Sequence, residues 1–185
     1  MKSKTVIYDQ KELLKKSGIS LVIGNYDDIF SDFDPRPYTH RSLSDDFLAE
    51  AKRASYEKPM DDLELKFLLP ATERKVPLEK IIRTRLHEHF IHHYNRLMKE
   101  KYKLFRKGFM FIIAGMIFMF ITSYLLFRFH ESSFWLSFLI IILEPAGWFS
   151  FWEGLNILLF EPKNIESELN FYKKMTPIKI SFWTY

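Results

Sequence analysis

The chain has 185 residues, 48% hydrophobic, 27% charged and 17% aromatic, with no cysteine and a formal net charge of +4. That apolar content excludes a wholly disordered chain. The missing thiols exclude a disulfide framework, a cysteine-based zinc or iron–sulfur site and thiol catalysis. The net charge is too mild to point to nucleic acid, and the length suits one domain, or one small domain plus something else.

Taken in chain order, Lys11 to Lys16 predicts a short polar helix closed by Gly18. Ile19 to Asn25 predicts a strand, with Ile19, Leu21 and Ile23 on one face. Tyr26 to Arg41 carries two prolines and reads as a loop. Ser42 predicts a helix start, with Asp45 three residues later in the manner of a capping box. Leu63 to Leu69 alternates as a second strand and Pro70 ends it. Pro77 suits the first turn of a long helix. Along that helix Ile82, Leu86, Phe90, Tyr94, Leu97 and Met98 form an apolar stripe. Nothing breaks it before Phe127 except Gly108 and Gly115, so a single continuous helix is expected. Asn164 to Lys174 predicts a tail helix. Ile178, Ile180 and Phe182 then alternate as a strand returning to the sheet begun by the first two.

The strongest signal lies between Gly108 and Phe160. Gly108 to Phe127 carries no charge and is long enough to cross a hydrocarbon core of roughly 30 Å. In Phe134 to Phe160 only Glu144 and Glu153 interrupt the apolar run. Arg128 to Ser133 is a loop long enough for a tight hairpin. The spans are expected at about 108–127 and 134–153. The expected fold is therefore a small cytosolic α/β (α+β) domain over residues 1–106, fused to a transmembrane hairpin over 107–160. A tail over 161–185 packs back on the domain.

Arg96, Lys99, Lys101, Lys103, Arg106 and Lys107 precede the first span, against one acid, Glu100. The positive-inside rule places them in the cytoplasm, and two spans return the C-terminus to the same side. The expected location is the inner (cytoplasmic) membrane, without a signal peptide. Trp135 suits the outer interface, Trp148 and Trp152 the inner one. The second span then ends near Trp152, with Gly154 to Phe160 running along or out of the interface. The basic run meets anionic lipid headgroups there, a better partner than nucleic acid.

Glu144 lies about ten residues into the second span, roughly 15 Å deep by helical rise. Pro145 follows it and frees the carbonyl of Ile141. A carboxylate at that depth costs several kcal/mol unless protonated, paired or wetted. Either a protonated glutamate bonding a neighbouring helix or an ion site demands a homo-oligomer. Ser150, Glu153 and Asn156 share one helical face. Gly108, Gly115 and Thr122 recur every seven residues, a spacing that permits close helix approach in lipid.

Asp27, Asp28, Asp32, Asp34, Asp45 and Asp46 cluster in the loop and the helix after it. Asp32 and Asp34 are candidate ligands for a divalent ion, but no EF-hand pattern is present. The plainer reading is a solvated acidic loop, with Asp45 and Asp46 complementing a helix dipole. Arg36 and Arg41 lie in the same segment and are expected to pair with these acids or to bind an anion. His89 and His93, four apart, are further metal candidates, but Ile91 stands where HExxH needs histidine. The reading assigns no metal, no cofactor and no catalytic residue.

The segments NYDDIFSDFDPRPYTHRSLSDDFL and GWFSFWEGLNILLF resemble a family of small two-span bacterial and archaeal membrane proteins of uncharacterised function. The resemblance runs from about Ile19 to Ile180 and implies a cytosolic domain, a helical hairpin and a short tail. It brings no activity. Three functions are then open. The first is an oligomeric membrane-anchored module that senses or recruits an unknown cytosolic partner. The second is an oligomeric channel with Glu144 in its pathway. The third is a metal-dependent enzyme at the membrane surface using the loop carboxylates.

Overall fold

The computed structural model describes residues 18–56, 63–129 and 133–185. The helix expected over Lys11 to Lys16 lies outside them, as do His130 and Glu131 of the hairpin loop. The chain forms two compact units, residues 1–94 with 170–185, and residues 95–169.

The first unit is built on strands β1 (Ile19–Val22), β2 (Glu64–Leu69) and β3 (Lys179–Thr184), in the order β1-β2-β3. Both pairings are parallel. Register puts Ile19, Leu65 and Ile180 in one row and Leu21, Phe67 and Phe182 in the next, all on one face. Ser20, Lys66 and Ser181 make a polar row on the other. Parallel neighbours require crossovers. The first contains helix α1 (Asp45–Tyr56). The second contains α2 (Val76–Arg128), α3 (Phe134–Leu159) and α4 (Glu161–Met175). Both apolar helices are thus inserted in one strand-to-strand connection.

With this strand order, two crossovers of the usual right hand fall on the same face of the sheet. The packing agrees. The Phe47 ring of α1 lies 5.8 Å from that of Phe67. The Arg83 guanidinium of α2 stands 5.5 Å over the Phe182 ring. Ile82, Leu86 and Phe90 are fully buried, and Phe90 meets Phe171 and Tyr172 of α4. Glu79 is buried in the first turn of α2, held by Arg74 at 2.9 Å and Arg83 at 3.2 Å. Gly18 has φ +85, and a Cβ there would collide with the Glu64 carbonyl. Glycine is required at that point.

Two local expectations are corrected. Tyr26 to Ile29 is a turn of 3-10 helix inside the expected loop, opened by Asn25, whose Oδ1 accepts the Asp27 amide at 2.7 Å. The next helix starts at Asp45, not Ser42. Ser42 is not its cap because its carbonyl accepts the Ser31 amide at 2.9 Å instead of a helix amide, and Leu43 bridges to Phe30. The Ser44 carbonyl instead receives the Leu48 amide. Asp45 and Asp46 do occupy the first turn.

In the second unit α2 runs unbroken to Arg128, and α3 runs through Pro145. The α3 helix also extends past Trp152 to Leu159, so Gly154 to Leu159 remain helical.

Candidate functional site

Both helices of the second unit are long and apolar enough to cross a membrane. Only 11% of the most apolar window of each is buried, which is unlike the core helix of a water-soluble protein. What is buried is a narrow seam. A Cβ at Gly115 would lie 2.5 Å from the Phe151 nitrogen and 2.8 Å from the Gly147 carbonyl oxygen. One at Gly154 would lie 2.7 Å from the Gly108 carbonyl oxygen. Gly108 therefore faces Gly154, and Gly115 faces Gly147, in antiparallel register. Thr122 is buried too, and its hydroxyl donates to the Phe118 carbonyl at 2.9 Å.

Extended along the hairpin, the same register sets Phe127 level with Trp135 and Gly108 level with Gly154. It puts Glu144 level with Phe118, midway along the charge-free stretch of α2. Glu144 is exposed and points away from the seam, on the same side of α3 as Trp148 and Trp152. Those two indoles lie 5.8 Å apart. Among the described residues Glu144 forms no hydrogen bond or ion pair. Pro145 and Asn156 are also exposed; Ser150 and Glu153 are half-buried.

Immediately before the apolar stretch, α2 carries the basic run. Lys99, Lys103 and Arg106 line a cleft of about 480 Å³ together with Asn95, Met98 and Tyr102. Arg96, Lys101 and Lys107 do not line it.

In the first unit the loop charges are spent on one another. Asp34 accepts from Arg36 at 2.7 Å and from the Ser42 amide, and these bonds hold its carboxyl well below the usual carboxylate range. The same pairing raises the Arg36 guanidinium. Arg41 meets Asp27 at 2.5 Å and the Ser31 carbonyl at 3.0 Å. Tyr38 donates to Asp27 at 2.9 Å, and burial first, then that bond, push its phenol up. Asp32 is exposed. His89 and His93 stack at 4.2 Å, and His93 stacks on Tyr172 at 5.0 Å. Burial, then the charges of His93, Arg85 and His92, push the His89 imidazole down to about 4. Among the described residues no three histidine, aspartate or glutamate side chains converge as a metal site. Asp32 and Asp34 are not brought together with His89 and His93.

Sequence reasoning singled out the basic run, Glu144 and the seven-residue glycine spacing. It missed the pairing of Gly108 with Gly154 and of Gly115 with Gly147. Equal seven-residue spacings on two antiparallel segments were the signal available. It also missed the buried Glu79, whereas the expected pairing of Arg36 and Arg41 with the loop acids is seen at Asp34 and Asp27.

Comparison of the chain with protein-family models, with curated proteins and with solved structures matched nothing.

Proposed function

We propose that this chain is an integral membrane protein whose hairpin crosses a bilayer twice and whose α/β unit is a cytosolic sensing or interaction module working in a homo-oligomer. The observation that carries the reading is the exposed apolar surface of α2 beyond Gly108 and of α3. Phe109, Met110, Ile113, Phe120 and Phe127 on α2 and Trp135, Ile141 and Phe149 on α3 are all about half exposed or more. Exposed apolar area costs roughly 25 cal/mol per Å² in water and nothing comparable in lipid. The basic run beside the first span supports a cytoplasmic position for both ends, in the inner membrane. The midspan position of Glu144 supports self-association, since a second copy can shield it from lipid.

The absence of cysteine makes the test direct. Single-cysteine variants at Ser133, Ser42 and Tyr185 are treated with a membrane-impermeant maleimide. Ser133→Cys should label on intact cells, and the other two only after lysis. Protein released from membranes by alkaline carbonate would overturn the reading. The channel reading draws on the same exposed Glu144 with Pro145 beside it. It requires ion flux in liposomes that Glu144→Gln abolishes.

A further inference from the structure

We infer that the cleft formed by Lys99, Lys103 and Arg106 is a binding site for the headgroup of an anionic phospholipid; this rests on the membrane reading above. The lining residues stand at positions 95, 98, 99, 102, 103 and 106, which is one face of α2. Three of the six are cations, and none is an acid. Among the described residues none of the three cations forms an ion pair. Unpaired cations gathered on a concave surface recognise phosphate oxygens.

Depth argues for a lipid source. Arg106 stands two residues before the charge-free stretch, about 3 Å by helical rise. It therefore falls in the headgroup layer, which is roughly 5–7 Å thick on each side of the hydrocarbon core. Lys103 and Lys99 follow outward at about 4.5 and 6 Å intervals. A phosphate held by Arg106 and Lys103 is then at membrane depth, and Lys99, about 13.5 Å before the charge-free stretch, is the outermost cation and adds its field to the site. Met98 and Tyr102, both exposed, line the outer end of the cleft beside Lys99 and Lys103. The volume of about 480 Å³ exceeds what an isolated phosphate fills. Arg96, Lys101 and Lys107 carry the same total charge outside the cleft and serve as the control.

The test uses the full chain in mild detergent, with bound lipid measured by native mass spectrometry. Phosphatidylglycerol, phosphatidylcholine and inorganic phosphate are the probes. The wild type should retain phosphatidylglycerol over phosphatidylcholine. Three cations at about 1 kcal/mol each predict that Lys99→Ala with Lys103→Ala and Arg106→Ala lowers retention on the order of a hundredfold. Arg96→Ala with Lys101→Ala and Lys107→Ala, which removes three cations outside the cleft, should retain lipid within a few-fold of wild type. Equal loss in both variants would mean diffuse charge attraction and overturn the site, as would equal retention of phosphatidylcholine. Displacement of phosphatidylglycerol by millimolar inorganic phosphate would overturn the lipid source. A protein that resists carbonate extraction yet shows no lipid preference refutes this inference alone; one that carbonate releases refutes the membrane reading with it.

Discussion

Replacing Gly115 by alanine adds one methyl group at the tightest point of the hairpin seam. That carbon would sit 2.5 and 2.8 Å from backbone atoms of Phe151 and Gly147, which cannot rotate away. Ordinary carbon contacts lie at about 3.5–4.0 Å, so the helices must part by roughly 1 Å. A gap of 0.5–1 Å forfeits a quarter to a half of each contact. Taking about 40 atom pairs along the seam at ~0.15 kcal/mol each, the loss is about 1.5–3 kcal/mol. In a bilayer this matters more than in water, because packing rather than apolar burial holds helices together. Unfolding in mixed micelles of increasing dodecyl sulfate, followed by fluorescence of the tryptophans on α3, measures it. Ile113→Ala, on the exposed side of α2, is the control and should cost under about 1 kcal/mol. A Gly115→Ala protein as stable as the wild type would refute the seam.

Glu144→Leu should weaken self-association in micelles by about 1–2 kcal/mol, roughly five- to thirtyfold, since in the proposed oligomer it would remove an interhelical hydrogen bond in lipid; unchanged energy transfer between labelled copies would contradict this. The His89 imidazole titrates at about 4 in the folded chain against about 6.5 unfolded, so the unfolded state takes up the proton first as pH falls. Its stabilising contribution is present above pH 6.5 and is lost progressively between 6.5 and 4. After discounting for partial exposure the loss is about 1–2 kcal/mol, and His89→Gln should flatten the melting temperature over that window. Glu79→Ala strands two guanidiniums beside a buried position, with an expected loss of about 1–3 kcal/mol in thermal unfolding.

Much of this architecture is legible from residue order because its signals are local. The strands at Ile19, Leu65 and Ile180 follow from alternation, and the long helix from an apolar stripe that nothing breaks. The apolar hairpin helices follow from hydropathy alone. Tertiary choices hide better. Ser42 has the chemistry of a helix cap, but its carbonyl is taken by the Ser31 amide. The Asp34 carboxylate resembles a metal ligand until Arg36 occupies it. Strand order and parallel pairing depend on which faces meet, and alternation within one strand carries no such information. Helical spacing already groups Lys99, Lys103 and Arg106 on one face of α2, but the cleft they line needed three-dimensional placement.

The insertion of both apolar helices between β2 and β3 has a consequence for biogenesis. The neighbouring strand that Phe67 needs is made only after about 110 further residues, including the hairpin, have left the ribosome. Until then β2 has one open edge and the sheet is unfinished. If the hairpin spans a membrane as proposed, it would enter lipid first, and the globular unit would close afterwards around the returning strand.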